Sequence, residues 1–284
     1  MSEPLRRPSR PTSGMRPADP VSPESSYGPA PVADAGRLAV WVDTDIALGA
    51  RRGDVDDGLA LAFLLRQPGV RVCGISVVAG NTDAVTAAHC ARDLLDALGV
   101  EALPVLEGTA AVQALAGLPP QLRVIALGPL GNLAAALEQR GPQPAWPVDC
   151  VGGLARAWPR PWLRFSDLNR RRDPEAWNFV HGHATVRHCP LDVVRRLRID
   201  RHVLGQLARS GPAGAYLARH AQRWLDSAPW RHGACSFPAW DLVCAMAAVD
   251  ALPGASWSAD GRQLRGFDPR AALACFMARL ADPV

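Results

Sequence analysis

Five aspartates crowd one corner of this chain, directly behind a short apolar run. The run Leu38-Ala-Val-Trp-Val42 is uncharged and β-prone, which reads as a buried strand. It leads into Asp43-Thr44-Asp45. After a short insert, Gly53-Asp54-Val55-Asp56-Asp57 opens an apolar helical stretch, Gly58 to Leu65. Like charges held this close raise one another's pKa and oppose folding unless a cation sits among them. Several oxygen ligands without thiolates or a histidine pair suit a hard cation, Ca²⁺ or Mg²⁺. A single Asp-x-Asp is accounted for by an exposed acidic loop at a helix N-terminus, where the dipole favours it. Five acids behind a buried strand call for more, and the corner is the first candidate for a metal-binding or catalytic site.

The rest of the chain alternates in the same way. Val70 to Val78 and Arg123 to Leu127 read as further strands. Val148 to Val151 is a weaker one, and Thr185 to Pro190 with Leu191 to Val194 reads as one more. Asp83 to Leu98, closed by Gly99, and Leu130 to Gln139 read as helices, and the last third is mostly helical, most clearly over Ala239 to Val249. Strands alternating with helices predict an α/β fold, an open and mostly parallel sheet with helices on both faces. In such folds the binding crevice lies beyond the carboxyl ends of the strands. The polar residues that follow each strand therefore matter. They are Asn81 after Val78-Ala79-Gly80, Asn132 after Leu127-Gly128-Pro129-Leu130-Gly131, then Asp167-Leu168-Asn169, Asp173-Pro174-Glu175-Ala176 and Asp241.

Composition narrows the partners. Arginine and lysine exceed aspartate and glutamate by 4 over 284 residues, too little to point to nucleic acid or a membrane surface. Every basic residue other than histidine is an arginine, which excludes any mechanism that needs a catalytic lysine. Seven scattered cysteines without a C-x-x-C pair read as reduced thiols of a cytoplasmic protein. Residues 1–36, rich in Pro, Ser, Arg and Gly, read as a disordered tail, and residues 37–284 as a single domain. No apolar run reaches the roughly 18–20 residues of a membrane span.

Taken in order, these motifs resemble the inosine–uridine-preferring nucleoside hydrolases. Val42-Asp43-Thr44-Asp45 with Asp56-Asp57 resembles the family's aspartate motif. Val78 to Asn81, Ala126 to Asn132, and Asp167-Leu168-Asn169 followed by Asp173 to Ala176 resemble its later strand ends. Trp240-Asp241 stands where the family has His-Asp. The resemblance covers roughly Arg37 to Asp250. It implies Ca²⁺-dependent hydrolysis of the N-glycosidic bond of ribonucleosides in purine or pyrimidine salvage, by a homodimer or homotetramer. It also implies metal ligation by Asp45, Asp57, the Leu127 carbonyl and Asp241, with Asp45 as general base. Asp56 and Asn169 would hold the ribose 2′- and 3′-hydroxyls, Asp167 would face the 5′-hydroxyl, Asn81 would lie close to the ribose, and Asp43 would support the site from behind.

Several positions depart from the pattern. The insert Ala47 to Gly53 lengthens the first loop. Residues 107–123 show neither the lid loop nor the helix expected there, which makes this a shortened member. Asp167 replaces a glutamate. Trp240 replaces the histidine that serves as leaving-group acid, and reads either as a core aromatic or as a platform stacked on the base. His232, close to Trp230, is the candidate replacement acid. Arg170-Arg171-Arg172 reads as a solvated edge, whereas a phosphate-binding role would turn the substrate into a nucleotide. A degenerate member that binds nucleoside or ribose without efficient turnover is the alternative reading. A phosphatase built on Asp43-Thr44-Asp45 would need a lysine that the chain lacks.

Overall fold

The computed structural model describes residues 36–51, 53–155, 167–227 and 235–281. Strand β1 (Leu38–Thr44) and helix α1 (Asp56–Arg66) are followed by β2 (Val70–Val77), α2 (Ala84–Leu98), β3 (Val105–Glu107) and α3 (Gly108–Ala116). Then come β4 (Arg123–Ala126), α4 (Gly131–Arg140), β5 (Pro147–Val151), α5 (Leu168–Arg172), α6 (Pro174–His183) and β6 (Thr185–Cys189). The remainder is α7 (Leu191–Val194), β7 (Arg198–Asp200), α8 (Arg201–Leu207), α9 (Pro212–Ser227), β8 (Ser236–Pro238), α10 (Trp240–Ala248), β9 (Ser256–Trp257), β10 (Leu264–Gly266) and α11 (Pro269–Ala281).

Six strands form one sheet in the order β3-β2-β1-β4-β5-β6, and every pair in it is parallel. Alternate residues of β1 enter different cores. Val40 and Val42 join the apolar cluster that includes α1, α2 and α10, and Trp41 joins the one that includes α3, α4 and α6. Burial on both faces is why the central strands read as continuous apolar runs rather than as alternation. The chain order reverses between β1 and β4, and the crevice at such a switch point opens beyond the strand ends. Thr44 ends β1 there, and Leu127 follows β4, its N–H donating to the Asp43 carbonyl at 2.8 Å.

Helix α10 packs on α1 and is almost wholly buried. Its C-terminal carbonyls are held by arginines. Arg123 Nη1 donates to the Ala248 carbonyl at 3.0 Å and Arg187 Nη2 to the Ala247 carbonyl at 3.3 Å. Both guanidiniums share Asp149, which is 1% exposed. Cations at a helix C-terminus oppose the negative end of its dipole. That contact sets the axial position of α10 and so of Asp241 in its first turn.

Two sequence expectations are corrected. The stretch 107–123 does contain a helix, α3, whose buried residues are Ala111 and Leu115. Leu191 to Val194 forms a helical turn rather than a strand, entered through Pro190 and tied to the loop after β5 by Ala155 N–H donating to Asp192 Oδ1 at 2.7 Å. The proposed tail, apart from Gly36, lies outside the described residues. No helix among the described residues is long and apolar enough to cross a membrane.

Candidate active site

The aspartates of the first corner converge as the sequence suggests, and a distant one joins them. Ligand-capable oxygens of Asp56, Asp57 and Asp241 all lie within 4.8 Å of one another. Asp241 arrives 185 residues after Asp56, and its own backbone N–H donates to Asp56 Oδ2 at 3.2 Å. Asp45 is not in that trio but adjoins it. Asn81 links the two, its N–H donating to Asp45 Oδ2 at 2.6 Å and its Nδ2 reaching Asp57 Oδ2 at 3.5 Å. The Thr44 hydroxyl donates to Asp57 Oδ1, and also accepts from the Ile46 N–H at 3.1 Å.

Asp43 stands behind this group. The Ser76 hydroxyl and Asn132 Nδ2 both donate to its Oδ1, the latter at 2.9 Å, and Trp41 Nε1 donates to the Ser76 oxygen at 3.0 Å. Its Oδ2 is buried without a described partner. Two glycines make room for Asp45. A Cβ on Gly80 would fall 2.0 Å from Asp45 Oδ2, and one on Gly128 would fall 2.9 Å from Asp45 N.

Burial and mutual repulsion raise these acids. Burial pushes the Asp43 carboxyl up to about 7 against the opposing bonds from Asn132 and Ser76. Asp45 is likewise raised to about 7, by burial and then by the charges of Asp56 and Asp54. Asp56, Asp57 and Asp241 are held well above the ordinary carboxylate range by burial and by one another's charge. Among the described residues no arginine or histidine forms an ion pair with Asp45, Asp56, Asp57 or Asp241. Buried carboxylates of one sign without a countercharge fit a bound cation, and an all-oxygen donor set suits a hard one.

The far wall of the crevice comes from α5. Asn169 Nδ2 donates to the Leu127 carbonyl at 2.7 Å, so the carbonyl expected to ligate a metal already accepts one hydrogen bond and keeps a second lone pair. Asp167 caps α5. Its Oδ1 accepts from Arg170 N–H at 3.1 Å and its Oδ2 from Gly153 N–H at 2.6 Å. Trp240 is the first residue of α10, half-buried against the larger apolar core. His232 lies outside the described residues. Sequence reasoning passed over Thr44, Ser76, Gly80 and Gly128 as site residues. The only available signal was polar or minimal residues standing at the ends of apolar strands.

An open parallel α/β sheet with a cation-seeking carboxylate cluster at its switch point defines the class. The comparisons say what the chain resembles. The model of the inosine-uridine preferring nucleoside hydrolases matches residues 40–118. Among solved structures, a plant nucleoside hydrolase superposes with a TM-score of 0.70 at 19% identity, covering 87% of this chain and 99% of its own. A purine-preferring ribonucleoside hydrolase from Gardnerella vaginalis gives 0.65 at 18%, covering 86% and 98%. An inosine-uridine preferring nucleoside hydrolase from Bacillus anthracis gives 0.65 at 17%, covering 86% and 99%. Identities this low speak for the fold alone. No curated protein sequence matches. The chain thus has the fold of the solved nucleoside hydrolases, and its residues 40–118 match that family's model.

Proposed function

We propose that this protein hydrolyses the N-glycosidic bond of ribonucleosides with Ca²⁺ as its cofactor, releasing the base and a ribose. The observation that carries the reading is the cluster of buried, uncompensated carboxylates at the switch point, with Asp45 fastened by the Asn81 N–H. Asp45, Asp57, Asp241 and the Leu127 carbonyl are the proposed metal ligands. Bound there, Ca²⁺ would orient the ribose hydroxyls and acidify a water.

Asp45 takes the proton of the attacking water, because its Oδ2 is held by the Asn81 N–H beside the carboxylate cluster. Asp56 and Asn169 hold the 2′- and 3′-hydroxyls, Asn81 lies against the ribose, and Asp167 lies on the 5′ side. Carboxylates near the ring favour the positive charge that develops at C1′ as the base departs. Asp43 acts through its neighbours, holding the end of β1 by way of Ser76 and Asn132. Trp240 provides a face for the base, and the proton for the leaving group is assigned to His232. The assembly is a homodimer or homotetramer.

The non-catalytic alternative, which rests on the missing lid loop and on Trp240 in place of a histidine, is not favoured by the likeness to nucleoside hydrolases, and α3 supplies the helix expected over 107–123. A nucleoside-panel reducing-sugar assay tests the proposal, run with added Ca²⁺ and with EDTA on the protein and on Asp45→Asn. We expect base release that EDTA abolishes and that Asp45→Asn lowers by at least about 100-fold. Undiminished turnover in both cases refutes it. Tight nucleoside binding with no base released would instead favour the alternative.

A further inference from the structure

Trp41 and Asp43 stand two residues apart on β1, so their side chains share one face of the strand, and Asp45 follows two residues later. The sheet is shaped to aim the indole along that face. Val40 pairs with Val72 of β2, but Trp41 pairs with Gly74, so the register shifts and Cys73 is passed over. Irregularities of this kind re-aim a side chain beside a functional site. A Cβ on Gly74 would fall 2.4 Å from the indole ring, so only glycine leaves the ring its place. The indole then reaches Ser76, with Nε1 donating to the Ser76 oxygen at 3.0 Å, and Ser76 is itself the register partner of Asp43. The ring also borders a cavity of about 950 Å³ shared with Leu106 and Leu118, so close packing alone does not set its orientation.

The direction of this chain of bonds is fixed. An indole N–H only donates, so the Ser76 oxygen accepts from it. The single hydroxyl proton is then left for Asp43 Oδ1, to which Ser76 donates. Asn132 Nδ2 donates to the same oxygen at 2.9 Å. Trp41, Ser76 and Asp43 are all buried, where a lost hydrogen bond leaves its partner without water to replace it. Through its backbone, Asp43 also holds the end of β4, its carbonyl accepting from the Leu127 N–H at 2.8 Å. The set of Asp43 therefore bears on Asp45 and on Leu127 together.

We propose that Trp41 is a positioning residue of the active site. Through Ser76 it fixes the Asp43 carboxylate, and through Asp43 the ends of β1 and β4 that present Asp45 and the Leu127 carbonyl to the cation. The proposal rests on the metal ligands given above. Trp41 touches neither cation nor substrate. It acts by one donated hydrogen bond, which a phenylalanine in its place cannot supply.

The test is a double-mutant cycle on the full chain: Trp41→Phe, Ser76→Ala and the two together. It is read by Ca²⁺ affinity in calorimetry and by kcat and KM for inosine at saturating Ca²⁺. We expect Trp41→Phe to weaken Ca²⁺ binding and to lower kcat by about fivefold each, as the loss of one buried hydrogen bond implies, with KM unchanged. Once Ser76 is alanine, Trp41→Phe should have no further effect on either. A merely structural role would lower Tm and leave Ca²⁺ affinity and kcat as they were, which overturns the proposal. Effects of the two substitutions that add in full overturn it too, because Trp41 would then act by another route. Should Trp41→Phe not fold, Gly74→Ala, which crowds the indole off Ser76, takes its place in the cycle with the same expectations. A wild type that neither binds Ca²⁺ nor releases base overturns the proposed function and this role with it. A working wild type with a silent Trp41→Phe overturns this role alone.

Discussion

Metal and proton should compete for the same oxygens, so the stability that Ca²⁺ confers should grow as pH rises. In the metal-free fold, Asp43 and Asp45 are raised from 3.8 to about 7. A carboxylate with a higher pKa folded than unfolded binds its proton more tightly in the native state. Between those two values the native chain carries more protons than the unfolded one, so stability from these groups is lost as pH rises from about 4 through about 7. A shift of this size corresponds to about 4 kcal/mol for one fully expressed group. Coupled neighbours will not add simply. His181, His188 and His220, lowered by burial, work in the opposite direction, their contribution being lost as pH falls. They are present with and without metal, so the difference between the two states cancels them. Ca²⁺ requires the ionised acids. At a hundredfold excess over its Kd the ion contributes about 2.7 kcal/mol. At ~2–4 °C per kcal/mol for a chain of this size, that is a Tm rise of about 5–11 °C. Scanning calorimetry in EDTA and in CaCl₂, from about pH 5 to about pH 8, reads it directly. A Tm difference that stays flat or shrinks with rising pH would refute the cation-binding reading of the cluster.

Three further outcomes follow from the packing. Gly80→Ala should cost on the order of 100-fold in kcat/KM with little change in Tm, because the new Cβ would displace the Asp45 carboxylate by about an ångström; wild-type rates would show that Asp45 needs no exact position. Asp149→Ala should lower unfolding stability by about 3–5 kcal/mol in urea titration, since it strips the shared partner from Arg123 and Arg187; a loss below about 1 kcal/mol would mean the arginines are satisfied by the α10 carbonyls and solvent. Trp240→Ala should raise KM for purine substrates while Trp240→Phe largely preserves it, as stacking demands; a fall in Tm with KM unchanged would assign Trp240 to the core.

The parts of the fold legible in the sequence are those where local pattern and burial agree. β1 reads as a strand because both its faces are buried, and α2 as a helix because Asp83 caps one end and a left-handed Gly99 the other. α3 escaped because it buries only Ala111 and Leu115, which leaves almost no periodic apolar signal, and because Gly108 opens it with a positive φ. Leu191 to Val194 misled in the opposite way: its β-branched residues favour a strand, but Pro190 and the Asp192 bond to Ala155 turn it into a helical cap on the end of β6.

The site divides along the same line. Asp43, Asp45, Asp56 and Asp57 are close in the chain, so their convergence needs only the turn from β1 into α1. Asp241 and Asn169 depend on the sheet order, which no local pattern encodes. Once β1 and β4 are neighbours, the end of β1 and the Leu127 carbonyl must meet, and α10, pinned at its far end by Arg123 and Arg187, can only deliver Asp241 to them. Arg172, whose Nη2 donates to the Gly80 carbonyl at 3.1 Å, shows the limit most sharply. Three identical residues in a row carry no information on which one makes that contact. The answer comes from helix phase, because Arg172 shares the face of Asn169, and Asn169 is already committed to the crevice.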